Sequence, residues 1–309
     1  MKLPLKRLLL ASFASAALLW SNLGSFTSRN DSAVLPPSDS ARFTAPAPLP
    51  LPTRSQSSQT LKPPTGANSS QERYWPGLPQ TTHPVTILLN KGYATGYSTQ
   101  VYSPLWTAYA IANIPKDEAK SEARPSAFFP NPAIAQTHQI ETREYTSSGF
   151  DRGHMAPNWA ISVSYGREAQ LETFYTTNIC PQRPECNRHL WEDLEKIEAN
   201  DYARRYNGVV SYDGPIYHKT DTGIGHRERI KIPAAFYKII VRQHKNEVDC
   251  IAFIIPQLPE ATSRNSRDNL QKYIVSVSEV EKQTDIRFLN NLPEDLQKRL
   301  KAKTPSSLW

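Results

Sequence analysis

Beyond residue 82 the chain is a succession of short apolar runs broken by turn residues. "VTILLNKGYATGYST" predicts two short strands around a turn at Asn90-Lys91-Gly92, and "LWTAYAIANI" predicts a third strand. A polar, Pro-containing loop follows from Pro115 to Gly149. "GREAQLETFYTTN" has helical spacing, with Ala169, Phe174 and Tyr175 apolar. "NRHLWEDLEKIEANDYARRYNG" gives the clearest helix: Leu190, Trp191, Leu194, Ile197 and Tyr202 share a face, and Gly208 suits its end. "VVSYDGPIY" predicts a strand with a turn at Asp213-Gly214, and "FYKIIVRQHKNEVDCIAFIIP" a hairpin about His244-Lys245-Asn246. Two short amphipathic helices are expected near residues 277–283 and 293–301. Strands and helices mix without regular alternation, which predicts an α+β fold with a mainly antiparallel central sheet and flanking helices.

The first 82 residues have a different pattern. Lys2, Lys6 and Arg7 precede an uncharged apolar run from Leu8 to Trp20, which reads as an export signal over residues 1–26. The run is short for a span of roughly 20 residues, and an N-terminal membrane anchor is the alternative. Residues 27–82 are rich in Pro, Ser, Thr and Gln and read as a disordered linker, because they bury too little to offset their ordering entropy. The foldable domain is then expected over residues 83–309, outside the cytoplasm, either periplasmic or extracellular, or tethered to a membrane by the N-terminus.

Charge adds little. The formal net charge is +7, but the first 82 residues hold eight basic side chains against three acidic ones, so the excess lies mostly in the leading segment. The high pI is therefore weak support for nucleic-acid binding by the domain. Of the three cysteines, Cys180 and Cys186 flank a short loop and are candidates for a disulfide in an oxidising compartment, while Cys250 sits in an apolar run.

The stretch that carries chemistry is "SSGFDRGHMAPN". His154 is a versatile general base near neutral pH. Arg152 offers a planar fork for phosphate. Gly153 lets backbone pass close to a ligand, and Asp151 is placed to orient the loop. Asn187, at the start of the long helix, carries an amide oxygen suited to Mg²⁺, although a helix cap is the plainer role. Glu195, two four-residue steps later, suits a metal-held water or an Arg. Asn178 reads first as a turn former.

In order and spacing, "DRGHMAPN", "TFYTTNICPQ", "CNRHLWEDLE", "GPIY" and "IPAAFYKIIV" resemble the DNA/RNA non-specific endonucleases of the ββα-metal, or His-Me finger, class. The resemblance runs from about Leu88 to about Leu300. It implies a Mg²⁺-dependent (Mn²⁺ as substitute) endonuclease that hydrolyses DNA, RNA or both, leaving 5′-phosphate and 3′-hydroxyl ends. It casts His154 as general base, Asn187 as the direct metal ligand, Glu195 as holder of the metal's water shell, and Arg152 as phosphate contact. Asp151 and Asn178 are implied to support the site, and Arg124, in a poorly matching loop, to bind phosphate. One departure stands out: family members commonly carry an Arg where this chain has Ala199. That motivates a rival reading, a catalytically weak, tethered nucleic-acid-binding protein. A zinc site from Cys180, Cys186, His189 and His154 is a further rival with no common spacing behind it.

Overall fold

The computed structural model describes residues 75–218, 222–244, 247–259 and 265–309. The expected signal segment at residues 1–26 and most of the expected linker lie outside them. The strands are β1 (Gln80–Thr81), β2 (Thr86–Leu89), β3 (Tyr93–Ser98), β4 (Ser103–Ile111), β5 (Asp151–His154), β6 (Ile179–Gln182) and β7 (Val209–Ile216), followed by β8 (Gly223–Ile224), β9 (Ile230–Lys231), β10 (Ala235–His244), β11 (Glu247–Pro256), β12 (Ile274–Val275) and β13 (Ile286–Arg287). Seven of them form one antiparallel sheet in the order β12-β11-β10-β7-β4-β3-β2. The expected α+β architecture is therefore the observed one.

The sheet is covered on both sides, so both parities of its central strands are apolar. In β10, Phe236 and Ile240 join one core, while Tyr237, Ile239 and Val241 join the other. The first core is closed by the long helix α3 (residues 186–205), through Leu190, Trp191, Leu194 and Tyr202. Two short helices, α1 (Asn158–Tyr165) and α2 (Arg167–Glu172), precede it in the chain, and α4 (Ser266–Gln271) adds Leu270 to the same core. The second core is closed by α5 (Val277–Thr284) and α6 (Glu294–Ala302), through Val277, Val280 and Leu300.

The β10–β11 hairpin forms as expected, in unbroken register from Ala235↔Pro256 to His244↔Glu247. Lys245 and Asn246, at its tip, lie outside the described residues. The turn expected at Asp213-Gly214 does not exist. β7 runs straight through, with Asp213 opposite both Thr107 and Lys238. A Cβ on Gly214 would lie 2.3 Å from the Leu105 carbonyl oxygen, so the glycine serves close strand approach and not a change of direction.

The packed domain also begins earlier than residue 83. Trp75 and Leu78 pack on the second core, the Tyr212 hydroxyl donates to the Gly77 carbonyl at 2.7 Å, and β1 pairs with β13. All three cysteines are buried free thiols, so Cys180 and Cys186 do not form the candidate disulfide.

Between α3 and the sheet lies a fully buried ionic cluster. The Lys238 ammonium donates to Asp213 Oδ2 at 2.6 Å, to the Tyr109 hydroxyl at 2.6 Å and to Glu198 Oε2 at 3.1 Å. Tyr109 donates onward to Asp213 at 2.9 Å, and the Ser211 hydroxyl donates to Glu198. Burial opposes the charge on Lys238, yet Asp213 and Glu198 hold it above the usual lysine range.

Candidate active site

Two antiparallel strands and a helix assemble the site. β5 pairs with β6, from Asp151↔Gln182 to His154↔Ile179, and α3 starts four residues after β6 ends. Alternation along β5 puts Arg152 and His154 on one side. Both line a cleft of about 540 Å³, together with Arg124, Asn187, Arg188, Glu192, Glu195 and Lys196. Gly153 has a packing reason: a Cβ there would meet the Gln182 side chain at 2.2 Å.

Asn178 anchors the chain after His154. It is fully buried, accepts from the Ala156 amide at 2.9 Å, and donates to the Ala156 and Thr173 carbonyls at 3.0 and 2.9 Å. It shapes the site without lining the cleft. Asp151 also acts through neighbours. Its carboxylate accepts two bonds from Arg188, at 2.8 and 2.6 Å, and one from Asn187 Nδ2 at 2.9 Å. Local burial works against that charge, but these donors hold the carboxyl below its ordinary range. Because Asp151 takes the amide nitrogen of Asn187, the amide oxygen is turned the other way, free to accept a cation.

Asn187 and Glu195 share the cleft for a reason visible in the helix. Eight residues of regular α-helix rotate a side chain about 80° past two full turns. The turn over Cys186–Trp191 is π-helical and takes up an extra residue. The pair then behaves as if about seven residues apart, within about 20° of one face.

His154 is buried against the rings of Phe128 and Phe174, at centroid distances of 5.4 and 4.8 Å. Burial, reinforced by the positive charge of Arg124, pushes its pKa down to about 3. The imidazole is neutral at pH 7, and its Nε2 has no protein partner. Arg124 lies over the Phe174 ring at 5.2 Å, so the loop that matched poorly in sequence does deliver it to the cleft. Arg152 sits over Phe128 and Tyr145, donates one bond to the Thr142 carbonyl, and leaves its buried Nε unpartnered. Local burial pushes the Glu195 carboxyl up to about 8, against the pull of the Lys238 ammonium beneath it.

Sequence reasoning missed Arg188, Glu192, Lys196 and Trp159, all of which line the cleft. Adjacency to Asn187 was the one available signal for Arg188. Ala199 is buried in the core under α3. Arg204 and Arg205 do not replace the missing Arg: one donates to the Ile114 and Asn200 carbonyls, and the other pairs with Asp201. Among the described residues no three His, Cys, Asp or Glu side chains are grouped to hold a metal, which removes the zinc rival.

Residues 69–295 match the family model for DNA/RNA non-specific endonucleases. The chain belongs to that family. It is 30% identical over 233 residues to "Nuclease 1, mitochondrial" of Schizosaccharomyces pombe, covering 69% of this chain and 68% of that one. It is 22% identical to human "Endonuclease G, mitochondrial", over 70% of this chain and 72% of that one. A solved structure of an EndoG/EndoGI complex shares the fold, with a TM-score of 0.65 at 22% identity, covering 75% of this chain and 96% of that one. Like its relatives, this family member is a nuclease that acts on nucleic acid.

The same relatives correct the expectation of export. The similar nucleases of fission yeast, budding yeast and human are named mitochondrial, which points away from a secreted or periplasmic protein. The physical cause of the misreading is the N-terminal composition. A basic, Ser-bearing stretch with no acidic residue before Asp31 has the features of an organelle transit peptide as much as those of an export signal. No helix among the described residues is long and apolar enough to cross a membrane.

Proposed function

We propose that this nuclease hydrolyses phosphodiester bonds of DNA, RNA or both in a Mg²⁺-dependent reaction, with His154 as the general base. The observation that supports this reading is a neutral imidazole with an unpartnered nitrogen, in a cationic cleft that also holds a freed amide oxygen.

The donor set fits a hard divalent cation. The Asn187 amide oxygen would hold it directly, and Glu195, with Glu192 beside it, would order the waters around it. When bound, Mg²⁺ supplies charge neutralisation at the phosphate oxygens. Arg124, Arg152 and Arg188 bind and orient the phosphate backbone. His154 takes a proton from the attacking water as its oxygen bonds to phosphorus. The P–O3′ bond breaks, the leaving O3′ takes a proton from solvent to become a hydroxyl, and His154 gives its proton back to solvent. A pKa near 3 makes the free-enzyme imidazole a weak base. A phosphate on Arg124 would offset part of the depression. These contacts reach the backbone and not base edges, so little sequence preference follows.

Plasmid cleavage by the purified protein tests the reading. Nicking is expected with Mg²⁺, none in EDTA, and a loss of orders of magnitude in His154→Ala. Wild type and variant equally inert, while both bind DNA, would instead favour the binding-protein reading.

A further inference from the structure

Trp159 is left without a task by the hydrolysis just described. It is the second residue of α1, whose next two side chains, Ala160 and Ile161, are 3% and 0% exposed, while Trp159 keeps 37%. The exposed Ile87 and Leu89 lie on the edge strand β2, whereas Trp159 stands in the wall of the cleft with Arg124, Arg152, Arg188 and Lys196. A second, small hollow of about 10 Å³ beside Ile114, Ala119 and Ala199 is also lined by Trp159, which thus stands between two concavities. Among the described residues no other aromatic ring stacks on it.

The cations of this wall suit phosphates, with Arg188 held by Asp151 and Lys196 by Glu192. A bare indole in the same wall matches another part of the polymer, the flat face of a base. Stacking on an aromatic side chain tolerates any sequence, since every base has a π-face. In a duplex both faces of each base are already covered, and freeing one costs unstacking energy. A single strand offers its bases without that cost.

We infer that Trp159 is a nucleobase-stacking platform and that it makes this nuclease prefer single-stranded over duplex substrate. The inference rests on the nuclease reading above. The test compares full-length wild type, Trp159→Ala and Trp159→Phe on a single-stranded oligonucleotide and on its blunt duplex, both with Mg²⁺. Tryptophan fluorescence on adding the single strand in EDTA is read in parallel. Wild type is expected to favour the single strand in kcat/KM. Trp159→Ala is expected to lose between about 5-fold and 150-fold on the single strand, chiefly through KM. Its loss on duplex is smaller, and Trp159→Phe recovers most of the preference. The single strand quenches wild-type fluorescence, and Trp159→Ala lacks that component. Equal losses on both substrates, as damaged packing would give, or a quench unchanged in Trp159→Ala, would overturn the inference. Wild type that cuts neither substrate would sink the nuclease reading, and the quench alone would then decide the stacking role.

Discussion

Two charged clusters lie on opposite sides of α3, and they differ in how fully their polar groups are engaged. Toward the cleft, Asn187, Glu192 and Glu195 face Arg124, Arg152 and His154, and the buried Nε of Arg152 and Nε2 of His154 have no partner. Toward the sheet, Lys238, Asp213, Glu198, Tyr109 and Ser211 bond to one another, with Asp213 Oδ1 the one unpartnered oxygen. The residue types are alike, but the vacancies are not. A buried polar atom left without a partner is available to a substrate; one already committed contributes to structure. Chemistry is assigned to the first cluster and cohesion to the second on that ground.

Mutations can break the comparison. The largest effect is expected for His154→Ala, which should lower the cleavage rate about 10²- to 10⁴-fold while the thermal unfolding transition persists. Lys238→Met should do the reverse. It strands two buried acids, so denaturant titration should show a loss of about 3–5 kcal/mol. With the cation gone, burial drives Asp213 further toward the protonated form. Its folded pKa exceeds the unfolded one, so the variant should lose stability as pH rises. A Lys238→Met protein that stays as stable as wild type at every pH would remove the structural assignment.

Asp151→Ala probes the support beneath the cleft cluster. It releases Asn187 and Arg188 together, and activity should fall about 10- to 100-fold, as when a partner that orients a metal ligand is lost. Higher Mg²⁺ should restore part of it. A further effect is in pH. The unfolded imidazole of His154 takes a proton below its ordinary pKa of 6.5, the folded one only near 3. Its contribution is complete above 6.5 and drains as pH falls toward 3, by up to about 1.4 kcal/mol per unit. Denaturant midpoints measured from pH 7 to 4 should fall more steeply for wild type than for His154→Ala.

The β10–β11 hairpin was legible because two ten-residue runs of β-formers flank a polar tip. α3 was legible because its apolar period matches one face. Gly214 misled because a glycine that admits a neighbouring strand looks, in one dimension, like a glycine that turns the chain. α1 leaves little trace in the sequence because Pro157 and Asn158 are turn-forming residues, and Ala160 and Ile161 give too short a period. The packed domain reaches back into the Pro-rich stretch because Trp75 and Leu78 join a core built far along the chain, and the Leu78 carbonyl accepts from Asn290, 212 residues on. His154, Arg152, Asn187 and Glu195 were within reach of motif reasoning and do meet in one cleft. Arg188, Lys196 and Trp159 depend on how the helices are rotated. Lys238 reads as one polar residue in a strand until Asp213 and Glu198 arrive from elsewhere.

The wide turn at Cys186–Trp191 makes the site vulnerable to a kind of change that a catalogue of its residues would overlook. It works as a phase adjuster, holding the amide of Asn187 over the same groove as Glu195. Deleting His189 would remove the extra residue and keep the two side chains within about 20° of one face, but tightening the turn to regular α-helix with every residue kept would spin the start of α3 by about 100° relative to the rest and carry the amide out of the groove. Every chemical group would still be present in the gene product, and the nuclease would be silenced by arithmetic alone.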